Sequence, residues 1–345
     1  MIPEYEVTIG IPVYRSVQYI KSSLLSALNQ TFQDIEFLLV DDAGNDGSMD
    51  IVSNLQKSHP RGKNIHVLVN EINNGVSYSR NRIIDEAKGR YLYFMDSDDA
   101  IEPNTIQLLY DALTSNQVQI AYGSYEIIDG IGEKPTEVYQ KDALVLKGKD
   151  ELAMYAFRNN HIFHVSVCNH LLNLHFLRQS DIRFIDASYW EDMVYTTELV
   201  TIVESAVLLP DITYHYLRRP GSLSHYQNRV LLEKEEVLKN ASTLIFLKDK
   251  CLDYKDKPYL PDLCYNLEMN SFYMACHILH KKDLIIPKMS LKEVRDLLRH
   301  PISLRDIALF DCKMLSNIMF AILGLLPLVL FLPTFYLIGK LKRAL

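Results

Sequence analysis

The chain has 345 residues and a mass of 39.8 kDa, room for about two domains at roughly 150 residues each. With 48% apolar and 23% charged residues, 13 glycines and 13 prolines, it is neither disordered, collagen-like nor of low complexity. A net charge of −7 argues against a nucleic-acid binder, because a phosphate backbone demands a positive surface.

The first hundred residues alternate strand and helix signals. Residues 7–13 (VTIGIPV) form a β-rich run, and 19–30 place apolar side chains at helical spacing. Residues 35–40 (IEFLLV) are apolar but for Glu36, as in a strand buried on both faces of a parallel sheet. A helix over 48–58, a strand over 65–69, a helix over 77–88 and a strand over 90–95 follow. This alternation predicts an α/β fold with a mostly parallel central sheet and right-handed crossovers. The pattern then becomes mixed: helix 103–116, strand 118–128, helix 165–178, helix 191–200, and strands at 206–209 and 213–217. Residues 229–300 read as helical.

Five cysteines, widely spaced and without a C-x-x-C, fit neither a disulfide framework nor a zinc site and predict a reducing compartment. The start, MIPEYE, is acidic and lacks an apolar core, so it is not read as a signal peptide and a cytoplasmic catalytic body is expected.

Ligands of open parallel sheets bind beyond the carboxyl ends of the strands. Two acidic clusters fall at such ends: Asp41-Asp42, and Asp96-Ser97-Asp98-Asp99. Packed carboxylates repel one another, and a divalent cation bridging to phosphate oxygens is a common reason to keep them together. Alternatively they are caps and turn formers, since Pro103 marks a helix start nearby. No G-x-G-x-x-G precedes them, so a dinucleotide loop is not expected.

These residues also carry a resemblance. Ile11-Pro12-Val13-Tyr14, Leu28-Asn29-Gln30-Thr31-Phe32, Val40-Asp41-Asp42, Ser79-Arg80-Asn81 and Phe94-Met95-Asp96-Ser97-Asp98-Asp99, in that order across residues 5–110, resemble glycosyltransferase family 2. The resemblance implies a GT-A-type nucleotide-sugar-binding domain using Mg²⁺ or Mn²⁺. It implies that Pro12 and Tyr14 lie against the nucleotide base and that Asp41 contacts base or ribose. It further implies Arg80 near the nucleotide, Asp96 at the nucleotide–sugar junction, and Asp98 as the direct metal ligand, with Asp96 beside it.

Inverting transfer to a hydroxyl needs a carboxylate base and positive charge on the departing diphosphate. Glu191-Asp192, following the only tryptophan, Trp190, resembles the family's E-D motif. It implies Asp192 as the base and Glu191 as the residue orienting the acceptor; otherwise both merely complement a helix N-terminus. Downstream, Arg219 is the expected cation over the diphosphate, and His215 or His225 a further metal ligand. The chain departs from the family pattern at Arg15, often Asn, and at Asn169-His170-Leu171-Leu172, where Lys-Leu-Tyr is common.

Between Lys313 and Lys340 lie 26 uncharged residues, roughly 39 Å as a straight helix and long enough to cross a hydrocarbon core. Residues 313–345 carry Lys313, Lys340, Lys342, Arg343 and no acid, leaving 32 basic and 43 acidic side chains in the rest, or −11. Pro327 and Pro333 interrupt the run, so a re-entrant or shallow tail is favoured over a single span.

The sequence thus predicts a catalytic domain over 1–226, a helical domain over 227–312 and a membrane-associating tail over 313–345. The expected activity is metal-dependent, inverting transfer from a nucleotide sugar, UDP-linked, to a lipid-linked or saccharide acceptor. The expected place is the cytoplasmic face of a bacterial membrane, in surface polysaccharide or glycolipid synthesis. A nucleotidyltransferase or a catalytically silent membrane scaffold remain the alternatives.

Overall fold

The computed structural model describes residues 3–130, 133–159, 166–187, 190–219 and 232–341. The chain forms two compact units: residues 1–152, 161–186 and 191–221, and residues 153–160, 187–190 and 222–345.

The first unit is built on strands β1 (Tyr5–Val13), β2 (Ile35–Asp41), β3 (Ile65–Val69) and β4 (Gly89–Phe94), all parallel and ordered β3-β2-β1-β4. Between them run helices α1 (Ile20–Leu28), α2 (Ser48–Ser58) and α3 (Val76–Glu86). The apolar runs explain the sheet: Val7, Ile9, Ile11, Phe37, Leu39 and Tyr93 are fully buried, as expected for strands covered on both faces. Gly10 lets α3 approach closely, because a Cβ there would lie 2.4 Å from the Ile83 side chain.

Beyond β4 the sheet is mixed rather than mostly parallel. Elements β5 (Ala100–Ile101), α4 (Thr105–Asn116), β6 (Ile120–Ile128), β7 (Glu137–Tyr139), β8 (Leu144–Lys147), α5 (Glu151–Arg158), β9 (His170–Asn173), α6 (Leu174–Ser180), α7 (Glu191–Ile202) and β10 (Ser205–Leu217) follow. Strand β9 lies antiparallel between β4 and β6, and β10 runs parallel to β6. The helix expected over 165–178 is therefore a strand and a short helix. His170, Leu171 and Leu172 are buried because the gap between β4 and β6 needs a strand, and Asn173 caps α6 by accepting from Phe176 N at 3.0 Å. The two strands expected over 206–217 are one, with register shifts at Leu208/Ile212 and Ile212/Tyr214.

The second unit contains β11 (Leu232–Glu233), α8 (Lys234–Lys250), α9 (Leu260–His280), β12 (Ile285–Ile286), α10 (Leu291–Asp296), α11 (Leu304–Ile307), α12 (Met314–Leu325) and α13 (Leu328–Leu341). From residue 232 to 300 the described stretch is mainly helical, with the β11–β12 pair and short connections between the helices. Ser290 and Glu293 form a reciprocal cap on α10. Lys248 Nζ sits 2.8 Å from Glu268 Oε1 and donates to the Leu297 carbonyl at 2.8 Å.

The expected membrane tail takes a different form. Among the described residues no helix is long and apolar enough to cross a membrane. The uncharged run breaks at Leu326-Pro327, where Leu326 is extended, and the two short helices turn their aromatic sides inward. Phe320, Leu323, Phe331 and Phe335 bury in one core with Phe272, Val237 and Leu298, and the Phe272 and Phe335 ring centroids are 4.6 Å apart. Residues 314–341 therefore share a core with α8–α10, so no boundary of packing falls at 313. Gly324 sets the closeness of that packing, since a Cβ would lie 2.2 Å from the Leu298 carbonyl oxygen. Gly324→Val should destabilise the protein by about 1–3 kcal/mol, as overpacking does, measured by chemical denaturation followed by far-ultraviolet circular dichroism.

Candidate active site

The acidic turn leaves the end of β4. Asp96 Oδ1 accepts from Arg80 Nη2 at 3.0 Å, and Arg80 Nη1 donates to Glu191 Oε1 at 2.9 Å. Arg80 lies on α3 and Glu191 opens α7. One guanidinium thus joins the turn after β4 to the start of a helix 111 residues away. Its side chain is 6% exposed, so Arg80 is an internal brace between two carboxylates rather than an open cation. Burial alone would lower its pKa, but Asp96 and Glu191 raise it, so it stays charged. Phe184 lies under it, 5.4 Å from guanidinium carbon to ring centroid, and stacks on Tyr195. Asn81, next to Arg80, holds this segment by donating to Phe184 O at 2.8 Å and accepting from Phe184 N at 2.9 Å.

Asp192 follows Glu191 in the first turn of α7. Burial and, next, repulsion from Glu191 push its carboxyl up to about 8, with Arg80 opposing the rise. A carboxylate so raised is a stronger base once ionised.

Asp98 pairs with Arg219, whose Nε donates to Asp98 Oδ2 and whose guanidinium carbon lies 5.1 Å from the Tyr19 ring centroid. Burial and the neighbouring Asp96 raise the pKa of Asp98, and Arg219 opposes the rise. The adjacent Arg218 turns elsewhere, to Asp129 at 3.3 Å and Glu137 at 2.5 Å. Asp99 is buried and ties the turn to β10, accepting from Tyr214 Oη at 2.5 Å and Leu217 N at 2.8 Å.

At the neighbouring strand ends Val13 pairs with Asp41 across β1 and β2. Pro12 is half-buried, and Tyr14 is 39% exposed under the Arg15 guanidinium. Asp41 Oδ1 accepts from Gly44 N at 3.4 Å. Its neighbour Asp42 is a loop clamp: it accepts from Asn70 Nδ2 at 2.7 Å, Asn74 N at 2.9 Å and Gly75 N at 2.8 Å. Gly75 precedes α3 with φ +86°, a conformation favouring glycine. Ser16 Oγ lies 2.6 Å from Ser97 Oγ, joining the loop after β1 to the acidic turn.

His215 does not join Asp96 and Asp98. Its Nδ1 lies 2.8 Å from Glu126 Oε1 and its Nε2 2.9 Å from Glu102 Oε1. Alternation along β10 sends Tyr214 toward Asp99 and His215 to the opposite face. His225 lies outside the described residues. Among the described residues, no group of three or more His, Cys, Asp or Glu side chains converges as a ready metal site.

Sequence reasoning missed Tyr214, Asp99 and the Ser16–Ser97 pair as fasteners of the site. The Tyr-rich run 214–216 was visible, but nothing in it names a partner more than a hundred positions earlier.

Residues 8–179 match the family description Glycosyl transferase family 2. The chain belongs to that family. It is 30% identical over 223 residues to the poly(ribitol-phosphate) beta-glucosyltransferase of Bacillus spizizenii, covering 63% of this chain and 33% of that protein. It is 32% identical over 126 residues to the Escherichia coli UDP-Glc:alpha-D-GlcNAc-diphosphoundecaprenol beta-1,3-glucosyltransferase WfgD, covering 36% of this chain and 48% of that one. The match thus spans between a third and a half of these relatives. In structure, S. aureus TarS 1–349 in complex with UDP-GlcNAc superimposes with a TM-score of 0.69 at 18% identity, over 92% of this chain and 89% of that one. That likeness shows a GT-A-like fold with a curled mixed sheet.

Removing Arg80 would leave Asp96 and Glu191 facing each other without their cation. Arg80→Met should therefore cost about 3–5 kcal/mol of stability, the usual penalty for breaking a buried ion pair from one side, read from urea unfolding at neutral pH. An unchanged unfolding midpoint would contradict the brace.

Proposed function

We propose that this protein is an inverting glycosyltransferase. It moves a sugar from a UDP-linked donor to a saccharide or lipid-linked acceptor, in assembly of a surface polysaccharide or glycolipid at the cytoplasmic face of a membrane. The observation that carries the transfer chemistry is the Asp96–Arg80–Glu191 chain. It fixes a donor-side acidic turn to the carboxylate pair that a hydroxyl acceptor needs. Family membership supports the reaction class; the donor named for WfgD and the ligand of TarS support a UDP sugar.

In this reading Asp192 accepts the proton of the acceptor hydroxyl as its oxygen forms a bond to the sugar's anomeric carbon. The bond from that carbon to the β-phosphate oxygen breaks, and UDP leaves with the electron pair. Arg80 and Glu191 orient the helix start that carries the base. Tyr14 and Pro12 border the base and Asp41 the ribose, while Arg219 adds positive charge beside the leaving group.

Asp98 fits a Mg²⁺ or Mn²⁺ ion. Burial and Asp96 disfavour its ionised form, and a guanidinium faces it, so the position calls for a cation. Two carboxylates together with diphosphate oxygens are a common magnesium-type donor set. Such an ion, when bound, neutralises charge on the departing diphosphate.

Incubation with a panel of nucleotide sugars and Mn²⁺, measuring UDP release with and without acceptor, tests the reading. Asp192→Asn should lower transfer by about 10²–10⁴-fold, the usual contribution of a positioned base, while leaving donor affinity nearly intact. Asp98→Ala should abolish Mn²⁺-dependent donor binding measured by calorimetry. A fully active, folded Asp192→Asn enzyme rules out the assigned base.

The base must be ionised to work, and burial and the neighbouring Glu191 push its carboxyl up to about 8. The rate should therefore rise with pH through an apparent pKa near 8 and level off above it. A profile already level at neutral pH contradicts a raised Asp192.

A further inference from the structure

The α12–α13 hairpin buries one side in the core of its unit and leaves the other unpartnered among the described residues. Leu315, Ile322 and Leu325 recur at helical spacing along the outer side of α12, and Val329, Leu330 and Leu337 extend that side along α13. Val329 is 84% and Leu325 69% exposed. A contiguous apolar patch of this kind marks an interaction site.

Charge indicates its partner. Lys313 opens α12 and Lys340 falls in the last turn of α13. Residues 313–345 are +4 with no acid, while the remainder is −11. An anionic lipid surface would attract this face and repel the rest of the chain. A second copy of the chain placed face to face would instead oppose two like-charged stretches. Neither helix is long enough to span a bilayer, but an apolar face with a basic residue at each end of its hairpin, Lys340 exposed and Lys313 over the Tyr265 ring, suits a helix lying about 5–10 Å deep at the headgroup boundary.

We infer that the outer face of the α12–α13 hairpin is a monotopic docking surface for an anionic membrane. It rests on, and sharpens, the membrane side of the proposed function, and it is independent of the transfer chemistry.

The test is flotation of the full-length protein with vesicles of phosphatidylcholine, with and without phosphatidylglycerol. Binding is expected to the anionic vesicles and to weaken with salt. The double variant Leu325→Asp/Val329→Asp should lower that binding by about tenfold or more, since charges resist burial in the interface. Lys313→Gln/Lys340→Gln, which leaves the apolar face intact and Lys342 and Arg343 in place, should remove about half of the salt-sensitive part. Donor hydrolysis in solution should be unchanged in both, so failure of the transfer reading would show there separately. Equal vesicle binding by wild type and the aspartate variant overturns the inference, as does no binding to either vesicle. Dissociation of a wild-type oligomer by the aspartate variant without vesicle binding, seen by analytical ultracentrifugation, overturns it in favour of a second copy.

Discussion

A guanidinium held between two carboxylates, with almost none of its surface in water, is the fastening on which the catalytic unit depends. Arg80 comes from a helix packed on the parallel half of the sheet, Asp96 from the turn after β4, and Glu191 from a helix that leads into β10 of the mixed half. Neither Arg80 nor Glu191 could be buried alone, because each charge would lose its hydration without compensation, and the half-buried Asp96 completes the set. Together they convert a local acidic turn into one side of a site. They also give Asp192 a partly offset electrostatic environment, in which Glu191 disfavours the ionised form and Arg80 favours it.

The second engaged carboxylate, Asp98, differs in kind. Arg219 reaches it from the end of β10 and rests on Tyr19, with more exposure than Arg80 has. Arg80 is enclosed between elements, whereas Arg219 keeps part of its side chain in water.

Much of this was legible from residue order. The strand β2 declared itself by five apolar residues among six, broken only by Glu36, and the acidic turn by its place at a strand end. The Glu191-Asp192 pair stood at a helix start, where it is found. What the sequence did not carry was partnership at a distance. Nothing near Arg80 announces Glu191, and nothing near His215 announces Glu102 and Glu126. Strand β9 was misread because four apolar-rich residues running into a helix fit either period, and the gap between β4 and β6 decides the matter. The tail misled for a related reason: hydropathy counts apolar residues without knowing that Phe272 and its neighbours on α9 need covering.

The irregular register of β10 has a consequence for how this protein tolerates change. Shifts between Leu208 and Tyr214 set the phase in which the strand arrives at its end. That phase puts Tyr214 on Asp99, His215 on the opposite face, Arg218 on Asp129 and Glu137, and Arg219 on Asp98. Slipping a two-faced strand by one residue exchanges every side chain with its neighbour. A single deletion in that stretch, even of an exposed residue such as Asp211, would bring the imidazole to Asp99, put Arg219 in the place of Arg218 and leave Asp98 without its arginine. Side-chain identity can vary along this stretch, but its length cannot: the reading frame of the strand is itself part of the active site.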